Sequence, residues 1–119
     1  MKVCYFLDDE RVYNDVTWII YPDSVKQFRT FRTSSQMIED IVRYKDVIDF
    51  KNTLFSLDHD LQEFTENSEL TGYTFTKWLV DFFIDKDIPS DHLNVVVHSK
   101  NPIGKKNIES YIKNFKEMF

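Results

Sequence analysis

The stretch Leu54–Leu61, which reads Leu-Phe-Ser-Leu-Asp-His-Asp-Leu, decides how the chain is organised. An apolar run ends there in three ionisable side chains, as a buried strand does when it reaches the edge of a sheet. Residues 3–7 run in the same way into 8–11 (Asp-Asp-Glu-Arg), and residues 93–97 run into 98–101 (His-Ser-Lys-Asn). Ligands of open α/β sheets bind outside the carboxyl ends of the strands. The three stretches therefore predict one site assembled from three loops.

The composition is that of a folded protein rather than a disordered or membrane-spanning one. The 119 residues are 42% hydrophobic and include eleven Phe, six Tyr and two Trp, which predicts a single domain over residues 1–119 with a substantial core. The lone Cys4 excludes an internal disulfide. No signal-peptide pattern and no long apolar run are present, so we expect a cytoplasmic protein. The net charge of −5 argues against binding to duplex DNA.

Four strands are predicted from short apolar runs. Residues 3–7, 53–57 and 93–97 are β-prone and mostly apolar, as expected for buried strands. A further strand lies at either 17–21 or 25–31. The second position is favoured, because a helix can then begin directly after it.

Helices alternate with these strands. One begins with Ser34 or Ser35 as its N-cap and continues to about residue 48, and a second opens at Thr71. Residues 62–70 are polar and acidic, as in an exposed loop. A last helix carries an apolar face that consists of Ile108, Tyr111, Ile112 and Phe115. The order β-β-α-β-α-β-α predicts an α/β fold in three layers around a mostly parallel sheet.

Three carboxylates, from Asp8, Asp9 and Asp58, should converge if the first and third strands are neighbours. Clustered carboxylates repel one another unless a cation balances them, and oxygen ligands suit Mg²⁺, or Mn²⁺ in its place. The alternative is that residues 8–10 favour a helix N-terminus and that Asp58 and Asp60 shape turns.

Candidate proton-transfer groups follow the strand ends. His59 and His98 carry imidazole groups, a side chain suited to proton transfer, and Asp60 joins them in the charged cluster. His92 precedes a strand and is interpreted as structural. The candidate phosphate-binding residues are hydroxyl, amide, cationic and glycine residues beside the strand ends, namely Ser99, Asn101, Gly104, Arg11, Arg32 and Lys100. For each of the histidines and arginines, a structural hydrogen bond or salt bridge is the alternative.

The motifs resemble a known family. Residues 7–11, 56–61, 71–73 and 98–104 are similar to those of the cyclic-phosphate processing receiver-like domains of bacteria and bacteriophages. The resemblance extends over residues 3–115. It implies the response-regulator receiver fold, with flavodoxin-like topology, reused as a metal-dependent phosphoesterase. The implied substrates are small phosphorylated ligands or RNA ends, such as 2′,3′-cyclic phosphates and cyclic nucleotides.

The resemblance also assigns roles by position. Asp8 and Asp9 would hold metal, Asp58 would match the phospho-acceptor of receivers, and His98 and Ser99 would recognise phosphate. Two departures stand out. The chain ends before a fifth strand and the lysine that follows it in receivers, and Gln62 stands where the family favours glycine. Two other hypotheses stay open: a non-catalytic protein that binds a cyclic nucleotide or a protein partner, and a signalling receiver phosphorylated on Asp58.

Overall fold

A four-stranded sheet forms the centre of the protein. The computed structural model describes residues 1–119. Its helices and strands, in chain order, are β1 (Val3–Leu7), β2 (Gln27–Phe31), α1 (Ser34–Arg43), β3 (Thr53–Leu57), β4 (Glu63–Phe64), β5 (Glu69–Leu70), α2 (Gly72–Asp85), β6 (Asn94–Val97) and α3 (Pro102–Met118). No helix combines the length and the apolar character that crossing a membrane requires.

The sheet has the order β2-β1-β3-β6, and all of its pairings are parallel. This confirms the α/β class and the receiver-like, flavodoxin-like topology. The favoured position of the second strand is also confirmed, whereas residues 17–21 form no strand. In register, Leu7 lies beside Leu57, and Leu57 lies beside Val97. The three strands therefore end level with one another.

One face of the sheet packs against the helices. Eighteen buried residues form this core, and they include Tyr5 of β1, Phe55 of β3, Phe83 of α2 and Ile108 of α3. Helix α2 begins as predicted, since the hydroxyl of Thr71 accepts a hydrogen bond from the N–H three residues later. The apolar stripes of the helices are thus what places the helix N-termini at the carboxyl edge of the sheet.

The opposite face is covered by mostly irregular chain with one short 3₁₀ turn (Tyr13–Asp15) instead of an α-helix. Tyr13 stacks on Phe28 of β2 at a centroid distance of 3.8 Å, and the Tyr21 hydroxyl lies 2.7 Å from Ser56 Oγ of β3. Val16, between them, is buried. The segment between β1 and β2 therefore supplies the second covering layer, with aromatic rings in place of a helical stripe.

Helix α1 differs from the prediction at both ends. Thr33, not a serine, is the N-cap, and its side chain accepts from the N–H of Gln36. The helix ends at Arg43 and not near residue 48. Ten helical residues span about 15 Å, and a five-residue strand spans about 17 Å, so a longer helix would overshoot the start of β3.

The segment 62–70 is not a plain loop. β4 and β5 form a short antiparallel hairpin, and Gln62, just before it, has a positive φ of 51°. Glu63 accepts hydrogen bonds from the backbone N–H and the hydroxyl of both Ser34 and Ser35. These bonds outweigh the effect of burial and lower the pKa of Glu63. The serines predicted to cap α1 thus bind the hairpin to the start of that helix.

Candidate active site at the carboxyl edge of the sheet

Strand register brings three ionisable residues side by side. The ladder continues one residue past the strands: the N–H of Asp58 donates to the Leu7 carbonyl at 2.9 Å, and that of His98 donates to the Leu57 carbonyl at 3.0 Å. Asp8, Asp58 and His98 therefore occupy one row across β1, β3 and β6. The loops after these strands form the walls of the candidate site.

Three carboxylates converge in this row. One oxygen from each of Asp8, Asp9 and Asp58 lies within 4.8 Å of the other two. Asp8 and Asp58 are buried, and Asp9 is partly buried. Burial and then the charge of Asp8 raise the pKa of both Asp58 and Asp9. The site thus disfavours simultaneous ionisation of the three groups unless a cation neutralises them.

Asp8 is the most firmly held of the three. Burial by itself would raise its pKa, but hydrogen bonds from His98 and from the N–H groups of Arg11 and Glu10 hold it well below its ordinary value. The Arg11 guanidinium also lies 3.3 Å from an Asp8 oxygen and 3.8 Å from Asp58 Oδ2. Arg11 therefore supplies positive charge where two of the carboxylates meet.

A buried hydrogen-bond chain supports Asp8 from behind. His98 Nε2 lies 3.0 Å from Asp8 Oδ2, and His98 Nδ1 lies 2.7 Å from Ser56 Oγ, which in turn lies 2.7 Å from the Tyr21 hydroxyl. The imidazole is fully buried and stacks on Phe6 with a centroid distance of 4.5 Å. Both ring nitrogens have partners within the protein, and the role of His98 in protonating a leaving group stays a prediction. His98 orients a carboxylate.

The carboxylates open into a polar cavity of about 450 Å³. Ten of its eleven lining residues are polar or charged, which separates it from the mostly apolar pockets that take drug-like ligands. A small, highly charged ligand suits such a lining. The lining residues are Asp8, Asp9, Glu10, Arg11, Asp58, Asp60, Gln62, Ser99, Lys100, Asn101 and Pro102.

Three of the predicted phosphate-binding residues lie in the loop between β6 and α3. Ser99 Oγ accepts from the Asn101 N–H, and the Ser99 side chain also hydrogen-bonds to Asp58, which partly offsets the rise in the Asp58 pKa caused by burial. Asn101 caps α3 by accepting from the Gly104 N–H, and its amide nitrogen lies 3.2 Å from Asp60. Lys100 lines the same cavity. Cationic, hydroxyl and amide donors therefore face the carboxylates across a short gap.

Other predicted site residues have structural contacts instead. Arg32 lies outside the cavity lining and donates through Nη1 to the backbone carbonyls of Asp8 and Arg11. The Gly104 N–H is already used by the cap, and a Cβ at this position would collide with the His59 ring. That ring is absent from the lining, and its Nδ1 is buried without a partner. Arg32, Gly104 and His59 thus lie outside the cavity lining, and the phosphate-binding roles of the first two and the catalytic role of His59 stay predictions.

The other glycine also serves packing rather than ligand approach. The N–H of Gly72 donates to the His59 carbonyl at 2.9 Å, and a Cβ there would meet the Asp58 carbonyl. Glycine is needed because α2 begins directly against the backbone that carries Asp58. Gly72 thus allows a close approach, but the group that approaches it is the backbone carbonyl of Asp58 and not a ligand.

Three contributors to the site were not predicted. Ser56 and Tyr21 extend the chain behind His98, and Trp18 donates its Nε1 hydrogen to the His98 carbonyl at 2.9 Å. A sequence signal existed for Ser56, because a hydroxyl within a fully buried strand needs a partner. Trp18 and Tyr21 carried no comparable signal, since their partners lie on distant strands.

Comparison with known proteins gives one match. The family model described as the cyclic-phosphate processing receiver domain matches residues 3–114. No curated protein and no solved structure matches the chain.

Proposed function

The chain belongs to the cyclic-phosphate processing receiver domain family, and we propose that it is a metal-dependent phosphoesterase that opens cyclic phosphodiesters. The observation that carries this proposal is the convergence of three carboxylates, within 4.8 Å of one another, in a cavity lined almost entirely by polar and charged residues. Cyclic nucleotides and RNA 2′,3′-cyclic phosphate ends are the substrates with the required chemistry.

The donor set fits a hard divalent cation. Mg²⁺ and Mn²⁺ prefer carboxylate oxygens and take the rest of their shell from water and phosphate. Asp8, Asp9 and Asp58 would hold the ion. Burial raises the pKa of the last two most, and the charge of Asp8, which such an ion would neutralise, raises it further. When bound, the cation supplies Lewis-acid stabilisation of charge on the phosphate oxygens.

Cationic and hydroxyl groups would bind the phosphate itself. Arg11, which bridges Asp8 and Asp58, is freed when a metal ion neutralises these carboxylates and can then pair with a non-bridging oxygen. Lys100 and the Ser99 hydroxyl approach from the opposite loop. Donors placed where negative charge develops stabilise a pentacoordinate transition state.

Asp60 is the proposed general base. It lines the cavity outside the carboxylate triad, and the Asn101 amide holds it in place. In the proposed step a water oxygen bonds to phosphorus, Asp60 takes its proton, and one ring P–O bond breaks. The released alkoxide takes a proton from solvent at the open side of the cavity. His98 contributes by keeping Asp8 oriented.

The test is hydrolysis of defined cyclic phosphates by the purified protein. We expect turnover of 2′,3′-cyclic nucleotides or RNA with cyclic ends in Mg²⁺ or Mn²⁺, and none in EDTA. Asp60→Asn should lower kcat by about 10²–10⁴-fold with unchanged Mg²⁺ affinity, whereas Asp58→Asn should lose Mg²⁺ binding. The exposed Asp81 on α2 offers a matched control, since Asp81→Asn makes the same chemical change outside the cavity.

The alternative functions predict different results. A binding protein would retain cyclic nucleotide without turning it over under any metal condition. A signalling receiver would acquire a phosphoryl group on Asp58 from acetyl phosphate, visible by intact mass spectrometry and absent in Asp58→Asn. Either result would overturn the phosphoesterase proposal.

A further inference from the structure

The indole of Trp18 lies beside the acidic cavity in a fixed orientation. Its Nε1 hydrogen bonds to the His98 carbonyl, at the start of the loop that carries Ser99 and Lys100. The residue is nevertheless 39% exposed and does not belong to the core formed with the helices. A large aromatic ring is thus locked to the site loop while part of its surface stays open to solvent.

Two cations of the cavity wall lie over this ring. Lys100 Nζ is 4.2 Å from the ring centroid and Arg11 Cζ is 5.4 Å from it, both within cation–π range. The same two residues line the cavity that holds the carboxylates. Trp18 is therefore separated from the phosphate-binding space by a single layer of cationic side chains.

We infer that Trp18 is a stacking platform for a nucleobase, so that the ligand is a nucleoside cyclic phosphate rather than the cyclic phosphate of a sugar or polyol. The inference rests on the proposed function for the position of the phosphate. Lys100 and Arg11 move from the ring to the phosphate oxygens when the ligand binds, and the base covers the indole face that they leave. One aromatic residue thereby recognises the half of the substrate that the polar cavity cannot hold.

The platform tolerates different bases. The only polar atom of the indole already donates to His98, so Trp18 offers no hydrogen bond with which to read a base edge. Stacking on an aromatic face is available to every base. The expected specificity is for the presence of a base, with purines favoured over pyrimidines because they cover more of the ring.

Tryptophan fluorescence gives a direct readout of stacking. The chain has two tryptophans, Trp18 and Trp78, and the latter packs against the helical core. In Trp78→Phe, the remaining fluorescence should be quenched more strongly by 2′,3′-cyclic AMP in Mg²⁺ than by ribose 2,3-cyclic phosphate, which draws Lys100 and Arg11 from the ring but places no base on it. Quenching of equal size by both probes would overturn the inference.

Two substitutions separate the ring face from the hydrogen bond. Trp18→Leu and Trp18→Phe both lose the Nε1 donor, but only the second keeps an aromatic face. Trp18→Leu should weaken binding of 2′,3′-cyclic AMP by about 5- to 150-fold, the range of base–aromatic stacking, with binding of ribose 2,3-cyclic phosphate unchanged. Trp18→Phe should restore most of the lost affinity. Equal weakening of both probes, or no rescue by phenylalanine, would reduce Trp18 to a structural residue.

Failure of this inference is distinguishable from failure of the proposed function. If cyclic AMP binds and quenches but is never hydrolysed, the platform stands and the phosphoesterase proposal falls. If ribose 2,3-cyclic phosphate is hydrolysed as well as cyclic AMP and Trp18→Leu changes neither rate, the phosphoesterase stands and the platform falls. An absence of any cyclic AMP binding overturns the platform.

Discussion

Replacing Ser56 with alanine tests the buried hydrogen-bond chain that orients Asp8. The Ser56 hydroxyl makes two contacts of 2.7 Å, one with His98 Nδ1 and one with the Tyr21 hydroxyl. In Ser56→Ala the Tyr21 hydroxyl can turn to solvent because that residue is only partly buried. His98 is fully buried, so its Nδ1 is left without a partner.

The expected cost follows from that unpaired nitrogen. A buried polar group without a hydrogen bond costs about 1–3 kcal/mol, which for a chain of this length lowers Tm by about 4–12 °C. Tyr21→Phe should cost only about 0.5–1.5 kcal/mol, because Ser56 still serves His98. An imidazole that is no longer anchored orients Asp8 less well, so Mg²⁺ affinity in Ser56→Ala should fall by about 10–100-fold.

Thermal melts and calorimetric Mg²⁺ titration measure both effects, and the same strand supplies a control. Thr53, at the other end of β3, is also buried and donates its hydroxyl hydrogen to the Asp49 carbonyl at 2.8 Å. Thr53→Val should lose comparable stability and bind Mg²⁺ normally. If Ser56→Ala melts like the wild type, or binds Mg²⁺ as Thr53→Val does, the hydrogen-bond chain through Ser56 and His98 does not orient Asp8.

Further predictions concern the carboxylates and the backbone beneath them. Asp58→Asn should raise Tm in EDTA by relieving repulsion. At a hundredfold excess of Mg²⁺ over its Kd, the free energy of unfolding of the wild type should rise by roughly 2.7 kcal/mol and that of Asp58→Asn by far less; melts in both buffers decide this. Arg11→Gln should bind Mg²⁺ more tightly in calorimetry, because the guanidinium no longer competes for Asp8 and Asp58. The folded pKa of Asp8 lies below its unfolded value, so its ionised form stabilises the protein above about pH 4, and this contribution is lost as the pH falls. In EDTA, the free energy of unfolding of Asp8→Asn should therefore depend less on pH in the acid range than that of the wild type. Gly72→Ala should cost about 1–3 kcal/mol in urea unfolding, because its Cβ would meet the Asp58 carbonyl; unchanged unfolding would contradict the close contact.

The sequence was sufficient for the parts of the fold that depend on local pattern. Apolar runs of strand length that end in charged residues predicted the neighbouring strands β1, β3 and β6, and the helical stripe of α2 predicted its start at Thr71. Parallel pairing then places Asp8 and Asp58 at one edge without further information. These features depend on the spacing of apolar residues along strands and helices, which is visible in a short window of sequence.

Side-chain roles depended on contacts that no short window contains. Whether His98 faces solvent or the sheet is decided by Ser56 and Asp8, which lie 42 and 90 residues away in the chain. The acidic segment before α2 looked like a loop because the partners of Glu63 lie 28 and 29 residues earlier. Composition indicates which groups can react, whereas the tertiary partners decide which of them are exposed.

The order of the strands in the sheet also fixes the order in which the site is assembled during synthesis. β1 can pair with β2 and β3 once residue 57 has left the ribosome, and domains fold from the N-terminus as the chain emerges. β6 pairs with β3 at the far edge of the sheet, so His98 reaches Asp8 only after residues 58–98 have also been made. Until then, the free edge of β3 is open to pairing with other chains. Asp8, Asp9 and Asp58, all carried by β1 and β3, therefore come together before His98 can orient Asp8.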